Sequence, residues 1–513
     1  MGVKPLSLEV KLIAYTDNPH RLSVASARTC YSTEIIYPND ISDGQKERLG
    51  KMLFDSGHHT PFQHPTFVFA LSGVSRHLVW SFLHSHPYYN SEQSSQRYNI
   101  LKHPEAFIPP NLTSGQKTIY ENAIEHSWQT YFQLTENLKE ELKPRVTSLY
   151  KRQGFDDTKL SNEIEKKSAE NARYALPISA GTSLYHTISL LTLKRYIAMA
   201  QSSDVPYEAS LLARNMADEV ERVSPGLLSL GEVNFSQPFD SPALTLTGEQ
   251  MASNERLNKS FDENLGDVCT KLMDFTKNAD AQLCSELRNV LGPISTGKSD
   301  EQLVDLALNP KQNPYLLSPL NVWHHSPIMR PLQNISYSFL KRISHTADSQ
   351  EQRHRTLPAS RPLLSMRQTY NPDYITPFPI THCNPIGIYK ETMNSLWQAK
   401  DQLMESGVPP EFSVYVLPNA VSIRYTESGS LLNFMHKWRL RLCFNAQAEI
   451  WEHSLGELAQ VAAVHPTLVK YIGPPCFFRS GYVKDDKLKG PCPEAVWCGV
   501  PVWRNFPQVR RPF

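Results

Sequence analysis

Three clusters of side chains in this sequence have the types and spacing to hold an anion. Gln93-Ser94-Ser95-Gln96-Arg97-Tyr98 sets a hydroxyl and a guanidinium two residues apart. Both can reach one phosphate, Arg through its planar fork and Ser as a donor beside it. A solvated polar loop has the same make-up, so this cluster alone does not decide. Arg353-His354-Arg355, three residues after Gln350, concentrates positive charge suited to a dianionic phosphate or an anionic ring system; a basic helix end in solvent is the alternative. Arg441 lies in NFMHKWRLRLCFNAQAEI, a stretch apolar enough to be buried, with Asn433 on a preceding turn. An Arg carried into such a helix needs a salt-bridge partner or a ligand. Cys476, Cys492 and Cys498 sit in a turn-rich tail, but spacings of 16 and 6 lack a Cys-x-x-Cys knuckle, so packing or free thiols are expected there. His58-His59 and His324-His325 are adjacent pairs whose rings point to opposite faces of an extended chain, so no metal is expected.

The elements that must position these clusters are legible in outline. VKLIAY reads as a strand, followed by a turn at Asp17-Asn18-Pro19 and a helix through SVASARTCYS. PTFVFAL alternates as a strand does, and residues 115 to 172 are polar and helical. RYALPISAGTSLYHTISLLTLKRYIAMA restores strand then helix. From 236 the chain becomes a Pro/Ser-rich link, then amphipathic and helical over about 248 to 291, then turn-rich at PKQNPYLLSPL.

The chain also repeats itself. HHTPFQHPTFVF from His58 is echoed by HHSPIMRPLQNISYSF from His324, and RYALPISAGTSLYHTISLLTLKRY from Arg173 by VYVLPNAVSIRYTESGSLLNFMHKWRLR from Val414. Similarity in the same order predicts a duplicated α/β unit. The expected boundaries are 1 to 235 for the first repeat, 236 to 315 for a link and helical insert, 316 to 475 for the second repeat and 476 to 513 for a tail.

Composition bounds the function. Of 513 residues 40% are hydrophobic and 20% charged, which excludes disorder for the bulk. With 52 Lys+Arg against 51 Asp+Glu there is no global charge to attract nucleic acid or an anionic membrane, so any anion must be held locally. No apolar run is long enough to span a bilayer and the first twenty residues lack a signal-peptide core, so a cytoplasmic protein with reduced thiols is expected.

GHHTPFQHPTFVFALSGVSRH, the QSSQRY after it, the RHR at 353 to 355, and the late LPNA, LLNF and RLCFNAQAEI together resemble the flavin-dependent thymidylate synthase family, over about 1 to 200 and 320 to 455. The resemblance implies methylation of dUMP to dTMP with FAD, methylenetetrahydrofolate as carbon donor and NADPH as reductant, in a homo-oligomer whose active sites lie between subunits. A fused duplicate would make a pseudo-dimer, and two chains a pseudo-tetramer. It assigns Arg441 as catalytic, Gln350, Arg353, Gln93, Ser95, Gln96, Arg97 and Arg173 to dUMP, and His58, Thr60, Arg353, His354, Arg355 and Asn433 to FAD. A pyrimidine-nucleotide hydroxymethylating relative and a non-catalytic nucleotide- or flavin-binding paralogue are the alternatives.

The departures from the family pattern are complementary. In the first repeat the RHR slot reads Leu83-His84-Ser85, or Ser85-His86-Pro87, and the helix Arg falls at Ala200; Ser95, Arg97 and Arg173 remain. In the second, Arg353-His354-Arg355 and Arg441 remain, but Leu363 stands where the family has Ser, and Val414 replaces the Arg before Leu-Pro. One working site drawn from both repeats would leave this pattern. Two further departures bear on flavin. The family's Asn and Arg before Asn433 read Glu427 and Gly429, and the stretch from Asn433 to Arg441 is three residues longer than usual, nearly a turn that could rotate Arg441 away.

Overall fold

A computed structural model describes residues 2–84, 88–200, 206–229, 248–381, 386–482 and 489–511. The principal elements are β1 (Glu9–Tyr15), α1 (Pro19–Thr29), α2 (Asp43–Asp55), β2 (Thr66–Ser75), α3 (Arg76–His84), β3 (Asn90–Gln93), α4 (Ser114–Tyr150), α5 (Asp157–Ala172), β4 (Gly181–Ser189), α6 (Leu190–Met199) and α7 (Tyr207–Val223). There follow α8 (Gly248–Leu265), β5 (Thr270–Phe275), α9 (Ala279–Leu291), α10 (Asp300–Leu308), β6 (Ser336–Ser344), α11 (His345–Glu351), α12 (Ile386–Glu405), β7 (Ser422–Ser430), α13 (Leu431–Arg441) and α14 (Ala448–Val464).

The chain divides into two units, each of which takes in a segment of the other repeat. Unit one is Met1–Trp128, Leu176–Gly248 and Ser395–Leu417; unit two is Gln129–Ala175, Glu249–Asn394 and Pro418–Phe513. Unit one holds a four-stranded sheet in the order β1-β2-β4-β3, and unit two a three-stranded sheet in the order β5-β6-β7; every pairing in both is antiparallel.

The duplication is visible in how strands pass into helices. In β2 the alternation places Phe67, Phe69 and Leu71 inward, and Ser75 then turns the chain by accepting from Leu78 N at 2.9 Å. The same device ends the other central strands, where Ser189, Ser344 and Ser430 accept from the backbone N of Thr192, Ala347 and Asn433. A Ser side chain satisfies one of the N–H groups that a helix start leaves without a partner, so each strand-Ser-helix junction is locally specified. β2 differs from its counterpart β6 by a bulge between Leu71 and Val74. Gly73 occupies it with φ +66°, where a Cβ would lie 1.8 Å from the Ser7 carbonyl oxygen, so no larger residue fits.

The stretch 236–315, read from sequence as a link and helical insert, also contains β5, hidden in a charged neighbourhood. β5 pairs with β6 as β1 pairs with β2. Residues 230–247 and the Ser85-His86-Pro87 alternative lie outside the described residues. The tail packs Phe478, Trp497, Val502, Trp503 and Phe506 into the core of unit two, beside Trp438 and Phe444.

Candidate functional site

Each unit contains a buried bracket built from a Ser at the end of a central strand, a Glu at the second position of a helix and a Tyr two residues before a Leu-Pro. In unit one Glu208 accepts from Ser75 N at 3.1 Å, Ser75 Oγ at 2.5 Å and Tyr415 Oη at 2.6 Å. In unit two Glu449 accepts from Ser344 N and Oγ, both at 2.6 Å, and from Tyr174 Oη at 2.5 Å. In both the Tyr comes from the other repeat, so the exchanged segments are held by the same chemistry. Burial, reinforced by the neighbouring carboxylate, holds both phenols well above the usual tyrosine range, and burial pushes Glu208 up to about 7.

Around the bracket of unit two the structure assembles four of the expected site residues. Arg173 closes α5 and is 4% exposed. Its Nη2 donates to Gln447 Oε1 at 2.7 Å and its Nε to Glu170 O at 3.1 Å, and its own carbonyl accepts from Asn419 Nδ2. Gln350 Nε2 donates to the same Gln447 Oε1. Arg441 donates from Nη2 to Gln350 O at 2.7 Å and from Nε to His354 Nε2 at 2.8 Å. A continuous polar line therefore runs Arg173, Gln447, Gln350, Arg441, His354, with its first member from one repeat and the rest from the other. At the Arg173 end a cleft opens, lined by Lys167, Asn171, Tyr174, Gln447, Glu449 and Arg511.

The longer stretch from Asn433 to Arg441 does not turn Arg441 away. Arg441 is the last residue of α13, and its bonds to His354 and Gln350 hold it at the Arg353–Arg355 turn. There His354 is buried while Arg353 and Arg355 are exposed. Burial, and then the Arg441 cation, hold His354 well below the usual His range, so the ring is neutral; since Nε2 accepts from Arg441, Nδ1 carries the proton.

The remaining expected residues lie in unit one, apart from Asn433. Gln93 ends β3, and its Oε1 accepts from Arg76 Nη1 at 3.4 Å. Ser95 Oγ accepts from Arg97 N at 3.2 Å, Gln96 is buried, and the Arg97 guanidinium lies 5.5 Å from the Tyr98 ring centroid. His58 and Thr60 are exposed. Sequence reasoning missed Arg76, whose Nη2 donates to Ser94 O at 2.7 Å and so braces the Ser95–Arg97 turn. It also missed Gln447, the hinge of the polar line. The repeated helix-start Glu, in PYEAS and QAEI, was the signal that pointed there.

Residues near the Arg353–Arg355 turn fit a ligand with hydrogen-bonding edges. Asn433 Nδ2 donates to Thr356 O at 3.0 Å, but its Oδ1 is buried with no partner, as are His354 Nδ1 and both amide atoms of Gln352. Buried polar atoms without partners are costly unless something satisfies them, and a flavin offers both donors and acceptors. The two substituted positions are committed elsewhere. Glu427 is buried and ion-paired with Lys341 and Lys437, and a Cβ on Gly429 would meet Leu357 Cδ2 at 2.2 Å.

Cys476, Cys492 and Cys498 do converge, joined by Cys443, on one small pocket of unit two. Burial raises all four thiols, Cys443 to about 12 and Cys498 to about 11. Among the described residues no group of three or more His, Cys, Asp or Glu is arranged to hold a metal, and no helix is long and apolar enough to cross a membrane.

Comparison with known proteins agrees with the internal repeat. A family model described as thymidylate synthase complementing protein matches residues 11–226 and again 271–467. The chain is 30% identical over 231 residues to a flavin-dependent thymidylate synthase of Clostridium tetani, covering 44% of this chain and 88% of that one. It is 32% identical over 165 residues to one of Sulfolobus acidocaldarius, covering 31% and 61% respectively. Among solved structures, a UMP/dUMP methylase of Streptomyces cacaoi bound with 5-Br dUMP matches 43% of this chain and 93% of its own at 17% identity, with a TM-score of 0.32. Two matches to one family pattern, on a chain whose two units repeat the same strand-Ser-helix junctions and the same Glu-Ser-Tyr bracket, identify a duplicated α/β member of the thymidylate synthase complementing protein family.

Proposed function

We propose that this chain methylates dUMP to dTMP in a flavin-dependent reaction, at one site per chain drawn from both repeats. The observation that carries the proposal is the polar line in unit two. Arg173, retained only in the first repeat, and Arg441 with His354 of the Arg353–Arg355 turn, retained only in the second, belong to one continuous set of hydrogen bonds. The corresponding positions of the opposite repeats are Val414 and Ala200, so neither repeat holds the set alone. The flavin-dependent thymidylate synthases to which the chain is similar support the substrate and cofactor.

In this reading Arg173 anchors the dUMP phosphate, and Gln350 and Arg353 contact the nucleotide. Arg441, held from two sides, is fixed before substrate arrives. Methyl transfer to C5 needs electron density there, which rises as negative charge develops over N3 and O4. A preorganised guanidinium stabilises that charge without reorganisation, usually the largest single contribution to catalysis. Neutral His354 presents an Nδ1–H donor. Arg353, His354, Arg355 and Asn433 would hold FAD. Reduced flavin supplies the hydride and methylenetetrahydrofolate the carbon, with NADPH as reductant, so no nucleophilic Ser or Cys is required.

Purified protein given C5-tritiated dUMP, NADPH and methylenetetrahydrofolate is expected to release tritium and to show flavin absorbance. The commitment of Glu427 and Gly429 to packing favours a second reading, a nucleotide-binding paralogue that has lost flavin. Stoichiometric dUMP binding with neither absorbance nor tritium release would establish that reading and overturn the first.

A further inference from the structure

Beneath the polar line of unit two lies a second set of charges. Lys341 on β6, Glu351 at the end of α11, Glu427 on β7, Lys437 on α13 and Glu457 on α14 have side chains no more than 1% exposed. Lys341 Nζ lies 2.9 Å from Glu457, 3.3 Å from Glu427 and 3.5 Å from Glu351. Lys437 Nζ lies 2.5 Å from Glu427 and 3.0 Å from both Glu351 and Glu457. Each ammonium thus meets all three carboxylates, and Trp438 Nε1 donates to Glu457 at 2.8 Å. Burial opposes charge on Glu351, yet beside the two ammoniums its carboxyl is held well below the usual range.

A buried ion network is a costly way to fill a core, since desolvation takes roughly several kcal/mol per ion. Unit one shows that this fold does not need it. Strand register aligns Lys341, opposite Tyr425, with Leu71, opposite Leu184; it aligns Glu427, opposite Phe339, with His186, opposite Phe69. Counting from the matched capping serines aligns Glu351 with Phe82 and Lys437 with Tyr196, and counting from the matched bracket glutamates aligns Glu457 with Met216. All five counterparts are buried, and the Phe82 ring packs 4.3 Å from Tyr196 and 5.3 Å from His186. The same volume closes without an ion pair.

What unit two has in addition is Arg441. Glu351 directly follows Gln350, whose carbonyl accepts from Arg441, and stands three residues before His354. Lys437 is one helical turn before Arg441 on α13. The contact between Lys437 and Glu351 therefore joins the end of α11 to the last turn of α13 at the place where Arg441 reaches His354. Apolar side chains can repack with small shifts, whereas a closed set of ion pairs penalises displacement of any member, and fixing register is the best attested use of buried charge.

We propose that the buried Lys341, Glu351, Glu427, Lys437, Glu457 network is a positioning device that fixes Arg441 against His354, retained only in the unit that carries this pair. Its catalytic consequence rests on the proposed function; its structural consequence does not. The test replaces the network by the residues of unit one, as Lys341→Leu, Glu351→Phe, Glu427→His, Lys437→Tyr and Glu457→Met together, with Glu351→Gln as a milder single variant. The first readout is the ¹⁵N spectrum of His354, assigned by loss of its signals in His354→Gln. The parent should show a neutral ring protonated at Nδ1 with Nε2 as acceptor, and both variants should lose that pattern. The second is kinetic: turnover in tritium release should fall by at least about tenfold while dUMP affinity stays within about threefold, as expected when an interaction made in the transition state is lost. A fivefold variant that folds, as judged by parental circular dichroism, and keeps the parental His354 spectrum and parental turnover would overturn the proposal. If the fivefold variant does not fold, the same two readouts on Glu351→Gln decide. If the parent releases no tritium, the functional reading fails while the His354 spectrum still decides the role of the network.

Discussion

Replacing Arg173 by Val, the residue type that Val414 supplies at the corresponding place in unit one, separates binding from folding. The Arg173 side chain donates to Gln447 Oε1 and to Glu170 O. A bond to a charged donor contributes about 1.5–3 kcal/mol, but removing this one leaves Gln447 Oε1 still bonded to Gln350 Nε2 and removes a desolvated cation. The net cost to folding should be no more than about 1–2 kcal/mol. The cost to binding is larger, because loss of a buried cation facing an anion takes about 2–5 kcal/mol. At about 3 kcal/mol, dUMP should bind more than about 100-fold more weakly. Calorimetric titration with dUMP and with deoxyuridine gives the assay: dUMP affinity should fall to near that of the nucleoside, with nucleoside affinity little changed. Equal losses for both ligands, or parental dUMP affinity, would refute the assignment of Arg173 to the phosphate.

Three other outcomes follow from the geometry. Glu208, with its folded value raised to about 7 from an ordinary 4.5, binds its proton more tightly when folded, so it contributes stability below about pH 4.5 that is lost as pH rises through 7. At 1.36 kcal/mol per unit this is about 3 kcal/mol, so the difference in denaturant stability between Glu208→Gln and the parent should shift by about that much from pH 4.5 to 8, and a flat difference contradicts the burial argument. Gly429→Ala should destabilise by about 1–3 kcal/mol through overpacking against Leu357, with recovery in Gly429→Ala/Leu357→Ala; no loss would show that Leu357 yields freely. Exposed Cys30 should alkylate before Cys443, Cys476 and Cys498 at pH 8, by mass spectrometry of iodoacetamide-treated protein, since burial keeps those three protonated.

Much of the fold was legible because it is local and repeated. Alternation in TFVFAL and the paired Leu-Pro strings are short-range signals that each repeat states for itself. The division of the arginines was equally legible, since it required only that the repeats be compared. The exchange of 129–175 and 395–417 between units was not, because it depends on a Tyr finding a Glu far away in sequence, Tyr174 to Glu449 and Tyr415 to Glu208. Nor was the ion network: Lys341, Glu351, Glu427, Lys437 and Glu457 read singly as solvated charges, and only the folded register brings them together. β5 was masked by the charges around KLMDF. The polar line was half legible, its arginines apparent and its hinge, Gln447, hidden in a helix start.

The central claim is that two incomplete repeats make one nucleotide site. The number of dUMP molecules bound per chain, by calorimetric titration of the parent, of Arg173→Val from the first repeat and of Arg353→Ala from the second, measures this most directly. The account predicts one per parent chain, bound more weakly in either variant. Two per chain, or one whose affinity survives both substitutions, would contradict it.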